Sequence, residues 1–254
     1  MLQEASRRAD ASRMSAPIQT LLFDFGGTLD SKGIAWKERF HALYRAEGLN
    51  IPANDFQSIF FAADDLLVGG LAPETDLAGT VHALTVNLET ELARRGAGPF
   101  GADLDGRGNG RCQRVASRFL SDTASTIERN RPVLEALSER YRLGVVSNFY
   151  GNLEAVCRGA GLGSIFPVLV DSHCVGAEKP DPAIFHVALD ALCATAETTV
   201  FVGDSLRRDR EGAKRTGMRF IWLQAEDSDA QAQAAAPPVE HAVTDLRDLM
   251  TVLA

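Results

Sequence analysis

Short runs of apolar residues recur along the chain and have the length of β-strands buried on both faces of a sheet. They lie at 20–25, 143–147, 168–171, 199–203 and 219–223. The segments between the last four runs are long enough for one helix each, and 153–161 and 182–193 place apolar residues at helical spacing. This alternation of strands and helices predicts an α/β fold, in which helices cover both faces of a parallel sheet.

The first two predicted strands are separated by residues 26–142, most of which show helical periodicity. Apolar residues recur at helical intervals in 36–47, 55–67 and 80–95. We therefore predict an inserted helical cap domain at 35–121 and a core formed by 18–34 and 122–254. Residues 1–17 are expected to be a disordered lead-in, 96–110 a glycine-rich loop, 225–238 a solvated linker and 243–253 a terminal helix.

Composition and charge restrict the partners of this chain. Of its 254 residues 45% are hydrophobic, enough for a globular interior, and 34 acidic against 26 basic residues give a net charge of -8. That charge disfavours nucleic acid and anionic membranes as partners, and no apolar run approaches the roughly 20 residues that span a bilayer. The four cysteines are scattered without CxxC spacing. This favours reduced thiols in a cytoplasmic protein, which we expect as a monomer or homodimer.

The segment LLFDFGGTLD carries the strongest chemical signal. An apolar strand delivers Asp24 at its carboxyl end, and Gly26 and Gly27 allow a tight turn beyond it. Ligands of open parallel sheets bind at this edge. A carboxylate placed there can attack an electrophile and form a covalent intermediate. The alternative is that Asp24 only caps the following turn.

Two further segments present polar groups near strand ends or helix starts. In GVVSN, Ser147 and Asn148 follow a strand and can bind a phosphoryl oxygen, although such residues also serve as turn formers. In GAEKPDPAIF, Lys179 precedes two prolines and a predicted helix, where it could neutralise a nucleophile and an anionic substrate. The alternative for Lys179 is an ordinary solvated surface position.

The segment VFVGDSLRRDREGA places two carboxylates near the end of another strand. Asp204 ends the strand and Asp209 follows five residues later. Converging carboxylates suit a hard cation such as Mg²⁺, which prefers oxygen ligands. The alternative is a salt-bridged helix start, because Arg207, Arg208 and Arg210 lie among them.

These four segments, in this order, resemble the motifs of the haloacid dehalogenase superfamily, whose phosphatase members combine a Rossmann-like core with a mobile cap. The resemblance covers about 20–33 and 131–223 and leaves the cap matched only in position and helical character. It implies a magnesium-dependent phosphatase that acts on a small phosphorylated metabolite through an aspartyl-phosphate. The implied roles are Asp24 as nucleophile, Lys179 as a charge-stabilising catalytic group, Thr28, Ser147 and Asn148 as substrate-binding groups, and Asp24, the backbone carbonyl of Gly26, Asp204 and Asp209 as ligands of Mg²⁺.

The first motif departs from the family pattern. Most phosphatases of the superfamily carry a second aspartate two residues after the nucleophile, which protonates the leaving group, and this chain has Gly26 there. Proton transfer of this kind contributes about 100-fold to 10,000-fold in rate. Asp30, His41 or a cap residue could supply the proton, but we favour Asp30 as the N-cap of a helix that begins near Ile34.

Other functions fit some of these motifs. A 2-haloacid dehalogenase also lacks the second aspartate, and Arg39 or Arg45 could bind a substrate carboxylate; those enzymes work without a metal, which leaves Asp204 and Asp209 unexplained. Carbon–phosphorus bond cleavage requires a cap lysine, and apart from Lys32 and Lys37 at its entrance the predicted cap has none. A degenerate member could bind a phosphorylated ligand or a protein without turnover. We rank the phosphatase first, the dehalogenase second and the binding protein third.

Overall fold

A computed structural model describes residues 17–97, 110–226 and 241–254. Nearly all of the predicted lead-in at 1–17, most of the predicted glycine-rich loop and most of the predicted linker lie outside these described residues.

In the described part of the chain, six parallel strands form one sheet, in the order β3-β2-β1-β4-β5-β6. The strands are β1 (Thr20–Phe23), β2 (Arg142–Ser147), β3 (Val168–Asp171), β4 (Thr199–Gly203), β5 (Arg219–Leu223) and β6 (His241–Val243). The first five confirm the predicted strands within two residues. The predicted terminal helix at 243–253 is wrong at its start, because Val243 ends β6 and only Leu249–Val252 forms a short α-helix. A three-residue edge strand is too short to show a periodicity.

Helices cover both faces of the sheet. Alternate side chains of β1 point to opposite faces: Leu21 and Phe23 belong to one cluster of buried apolar residues, and Leu22 belongs to a second. The core helices are α5 (Leu153–Gly159), α6 (Ser172–Val175), α7 (Pro182–Ala191) and α8 (Glu211–Thr216). This confirms the α/β fold with a Rossmann-like parallel sheet.

Between β1 and β2, the described residues form four α-helices. They are α1 (Trp36–Ala46), α2 (Ala53–Asp65), α3 (Leu77–Arg94) and α4 (Arg111–Ser138). Aromatic side chains join them, and Phe40 of α1 stacks on Phe119 of α4 with ring centroids 4.5 Å apart. The 28 residues of α4 run across the predicted boundary between 121 and 122, so one continuous helix connects the helical region to the core. A domain boundary between residues 121 and 122 stays a prediction.

Candidate functional site

The four motifs meet at the carboxyl edge of the sheet. In register, Phe23 at the end of β1 pairs with Val145 of β2 and with Val202 of β4. The residues that follow these positions, Asp24 among them, are therefore adjacent in space. This is the edge at which parallel sheets bind ligands.

Asp24 is held by three donors on one carboxylate oxygen. Its Oδ1 accepts hydrogen bonds from the Ser147 hydroxyl and the Phe25 backbone N–H, both at 2.7 Å. The ammonium group of Lys179 lies 2.8 Å from the same oxygen. These contacts fix the direction of a side chain that is 8% exposed. The hydrogen bond from the Phe25 backbone also means that Asp24 caps the following turn. Capping was the alternative to a chemical role, but the Asp24 side chain also contacts the other motifs.

Lys179 joins the nucleophile candidate to the fourth motif. Its Nζ donates to Oδ1 of Asp209 at 2.7 Å as well as contacting Asp24, and its side chain is 1% exposed. Burial opposes the charged ammonium, but the carboxylates of Asp209 and Asp24 outweigh that effect and raise the pKa of Lys179. Lys179 is therefore a buried, charged group, and the interpretation as a solvated surface lysine is wrong.

Three carboxylates converge beside this lysine. One oxygen each from Asp24, Asp204 and Asp209 lies within 4.8 Å of the others. Burial, followed by the charges of Asp209 and Asp24, raises the pKa of Asp204 well above its usual range. Burial likewise raises the pKa of Asp209 to about 6, although Lys179 lowers it. Clustered oxygen ligands with excess negative charge have the chemistry that Mg²⁺ prefers.

Like Ser147, the other two predicted substrate-binding groups are engaged with residues of the site. The Thr28 hydroxyl donates to Oδ1 of Asp204 at 3.1 Å. The Asn148 amide donates to the carbonyl of Lys179 at 3.2 Å and accepts from its backbone N–H at 2.7 Å. Asn148 thus fixes the backbone that carries Lys179, while a direct contact of Thr28, Ser147 or Asn148 with a phosphoryl group stays a prediction.

Glycine is required at Gly27 for a reason that the sequence did not reveal. Its φ of 95° lies in the left-handed region, and a Cβ there would be 2.5 Å from Oδ2 of Asp204. Gly26 instead has φ -74° and ψ 115°, which any residue adopts. The turn after the nucleophile therefore depends on Gly27, whose missing side chain lets Asp204 approach.

Asp30 is part of a buried network near the turn. Its Oδ1 accepts from the Gly27 backbone N–H at 2.7 Å, and its Oδ2 accepts from the Trp36 indole at 2.6 Å and from Arg39 at 2.8 Å. Burial raises its pKa, although the ion pair with Arg39 and these hydrogen bonds oppose the rise. The prediction that Asp30 is a helix N-cap is wrong, because Ala35 occupies that position of α1.

A cleft of about 1210 Å³ opens between the four-helix region and the sheet edge. Core residues Asp24 and Lys179 line it together with Trp36, Asp64 and Tyr150. Sequence reasoning missed these last three side chains, because none belongs to a motif and their approach to the site depends on tertiary packing.

His41, named above as a possible proton donor, is engaged within the helical region. Its Nε2 lies 2.8 Å from the carbonyl oxygen of Ile51, and its ring packs against Phe56. We therefore do not assign it to the site. Within the described residues, no helix has the length and apolar character needed to cross a membrane.

Comparison with protein families and curated proteins identifies relatives of the chain. The family model described as haloacid dehalogenase-like hydrolase matches residues 18–217. Haloacid dehalogenase-like hydrolase domain-containing protein 3 of Mus musculus is 35% identical over 112 residues, which are 44% of this chain and 45% of the relative. Glyceraldehyde 3-phosphate phosphatase of Pyrococcus abyssi is 31% identical over 126 residues, 48% of this chain and 52% of the relative. Phosphoserine phosphatase of Thermus thermophilus is 40% identical over 76 residues, 28% of this chain and 30% of the relative. These matches span about half or less of the relatives' length.

Solved structures share the fold over nearly the whole chain. The HAD-hydrolase YfnB from Bacillus subtilis, which was solved bound to magnesium, superposes with a TM-score of 0.58 and 18% identity, covering 94% of this chain and 99% of that one. The L-2-haloacid dehalogenase PA0810 gives a TM-score of 0.56 and 21% identity, covering 93% of this chain and 100% of that one. At these identities the similarity establishes the fold alone.

Proposed function

Because the chain belongs to the haloacid dehalogenase-like hydrolase family, we propose that this hydrolase is a magnesium-dependent phosphatase of a small phosphorylated metabolite. The observation that carries the proposal is the convergence of buried Asp24, Lys179 and Asp209 with half-buried Asp204 at the carboxyl edge of the sheet. Such a cluster offers a nucleophile, a cation and metal ligands within one cleft.

The charge of the cluster supports a divalent cation. Three carboxylates against one ammonium leave an excess of two negative charges when all are ionised, and a phosphate ester adds more. Bound Mg²⁺ would offset this charge and stabilise the transferring oxygens. Asp24, Asp204 and Asp209 would hold the ion, with the carbonyl of Gly26 as the further ligand that the family resemblance implies.

The residues of the site then have distinct tasks in the reaction. Asp24 attacks phosphorus in line, the bond from phosphorus to the ester oxygen breaks, and an aspartyl-phosphate forms. Lys179 neutralises charge on Asp24 and on the phosphoryl oxygens. The hydroxyls of Ser147 and Thr28 turn from Asp24 and Asp204, to which they donate in the free enzyme, and donate to those oxygens. Water then attacks phosphorus and releases inorganic phosphate and the Asp24 carboxylate. The cleft between the helical region and the core limits access of bulk water.

The curated relatives favour phosphate chemistry, since two of them are named as phosphatases. The 2-haloacid dehalogenase remains the second candidate because Gly26 provides no proton donor and halide needs none. Against it, Arg39 is already bound to Asp30 and Thr123 and is not free to hold a substrate carboxylate. Halide release would also give the carboxylates of Asp204 and Asp209 no task.

Steady-state kinetics test the proposal. We expect release of 4-nitrophenol from 4-nitrophenyl phosphate in Mg²⁺, its loss in EDTA, and at least about a 1,000-fold lower kcat in Asp24→Asn. Asp190→Asn, at an exposed position of α7, is the matched control and should retain full activity. Halide release from a 2-haloacid without metal would instead support the dehalogenase, and no turnover of either substrate would support a binding protein.

A further inference from the structure

The position of the usual acid/base aspartate is filled by another side chain. A Cβ built on Gly26 would lie 3.4 Å from Nε1 and 3.5 Å from Cδ1 of the Trp36 indole. That indole donates to Asp30, which is fully buried and also bound by Arg39. Asp30 therefore has both oxygens engaged in the turn, and a proton for the leaving group has to come from elsewhere in the cleft.

Among the carboxylates of the helical region that line the cleft, Asp64 contacts a side chain of the core. Asp64, in the last turn of α2, accepts a hydrogen bond from the Tyr150 hydroxyl at 2.5 Å. Tyr150 follows Asn148, the residue that fixes the Lys179 backbone, by two positions. Asp64 and Tyr150 line the same cleft as Asp24. The pair thus connects the helical region to the loop that carries the predicted phosphate-binding groups.

The surroundings of Asp64 suit proton exchange near neutral pH. Burial raises the pKa of Asp64 to about 6, even though the hydrogen bond from Tyr150 lowers it. The neighbouring charges act in opposite directions, since Asp65 raises this pKa and Arg208 lowers it. A general acid is most effective when its pKa lies near the working pH, because both protonation states are then accessible.

We propose that Asp64, positioned by Tyr150, is the general acid and base of this enzyme in place of the aspartate absent at Gly26. The assignment rests on the proposed phosphatase function. As Asp24 attacks phosphorus and the bond to the ester oxygen breaks, the Asp64 carboxyl gives its proton to the leaving alkoxide. The Asp64 carboxylate then takes a proton from the water that attacks phosphorus, the bond from phosphorus to Asp24 breaks, and inorganic phosphate leaves.

Leaving-group dependence distinguishes this role from a structural one. 4-Nitrophenolate leaves without a proton, whereas the alkoxide of benzyl phosphate requires one. For Asp64→Asn we expect kcat/KM to fall about 100-fold or more with benzyl phosphate and less than about 5-fold with 4-nitrophenyl phosphate. Asparagine retains an oxygen that can accept from Tyr150, so the contact across the cleft is preserved. Asp55→Asn removes the same charge from an exposed position of α2 that does not line the cleft and should leave the dependence unchanged.

The pH profile tests the positioning role of Tyr150. The ratio of kcat/KM for the benzyl ester to that for the nitrophenyl ester removes most of the titration of the phosphate itself. In the wild-type enzyme this ratio should fall above about pH 6, as Asp64 loses its proton. Tyr150→Phe removes a hydrogen bond that favours the carboxylate, so the fall should move to higher pH.

Several outcomes would overturn the assignment. Equal losses with both esters in Asp64→Asn would indicate a structural role, and no loss with either would exclude Asp64 from catalysis. If kcat/KM of the wild-type enzyme already falls steeply as the pKa of the leaving group rises, the enzyme has no general acid. Turnover of the nitrophenyl ester that depends on Mg²⁺ and Asp24 supports the proposed function in each of these cases, whereas no turnover of either ester contradicts both.

Discussion

Removal of the buried ammonium of Lys179 should destabilise the fold as well as abolish activity. The side chain is 1% exposed and contacts Asp209 at 2.7 Å and Asp24 at 2.8 Å. In Lys179→Met the apolar stem keeps a similar volume, but two carboxylates remain in the interior without their cation. Packing is thus nearly conserved, and the change isolates the electrostatic contribution.

The expected loss follows from the cost of leaving one partner of a buried ion pair uncompensated, which is about 3–5 kcal/mol. The carboxylates can avoid part of that cost by binding protons. Lys179 lowers the pKa of Asp209, which burial raises to about 6. Without the lysine this pKa rises further, so the folded variant binds more protons than the unfolded chain across neutral pH. Stability of the variant relative to wild type should therefore fall as pH rises from 5 to 7.5.

Urea unfolding in EDTA at pH 5 and pH 7.5 measures this effect, with far-ultraviolet circular dichroism and tryptophan fluorescence as separate probes. Lys214→Met, at an exposed position of α8, is the matched control and should change the free energy of unfolding by less than about 0.5 kcal/mol. A loss below about 1 kcal/mol at pH 7.5 in Lys179→Met, or an equal loss at both pH values, would refute the reasoning.

Further substitutions test the turn, the metal ligands and the loop around the lysine. Gly27→Ala should lower the free energy of unfolding by about 2 kcal/mol or more, because it places a Cβ against Asp204 at φ 95°. Gly26→Ala should lower it by less than about 1 kcal/mol. Thermal unfolding compares the two variants, and equal losses would contradict the geometry. Asp204→Asn removes a half-buried carboxylate whose pKa is raised by desolvation, so it should stabilise the metal-free protein by roughly 1–3 kcal/mol and abolish the increase in Tm caused by Mg²⁺. Differential scanning calorimetry with and without Mg²⁺ measures both effects, and a retained Mg²⁺ effect would exclude Asp204 as a ligand. Asn148→Ala removes the hydrogen bonds that hold the Lys179 backbone, so it should lower kcat by roughly 10-fold to 100-fold while the Mg²⁺ effect on Tm persists. Steady-state kinetics measures kcat, and an unchanged value would contradict this prediction.

Much of the fold and the centre of the site could be predicted because both depend on short-range patterns. Buried parallel strands appear in the sequence as apolar runs, and their carboxyl ends necessarily share one edge. This places Asp24, Ser147 and Asp204 near one another before any coordinates are known. The structure adds that Lys179 lies between two of the carboxylates, a contact that depends on how its loop folds back.

The remaining features depend on packing between distant segments. Asp30 resembles a helix cap in the sequence, but the Trp36 indole and Arg39 draw it into a buried ion pair. The contact between Asp64 and Tyr150 joins residues that are 86 positions apart in the chain. No local periodicity encodes such pairings, which is why the sequence did not single out Asp64 or Tyr150.

The central claim is that Asp24 becomes phosphorylated during turnover. Rapid mixing of the enzyme with 4-nitrophenyl phosphate and Mg²⁺, an acid quench and peptide mass spectrometry would test it most directly. We predict a phosphoryl group on the peptide that contains Asp24, formed at the rate of the 4-nitrophenol burst and absent in EDTA and in Asp24→Asn. Release of 4-nitrophenol and phosphate together, with unmodified Asp24 at all times before steady state, would contradict the account.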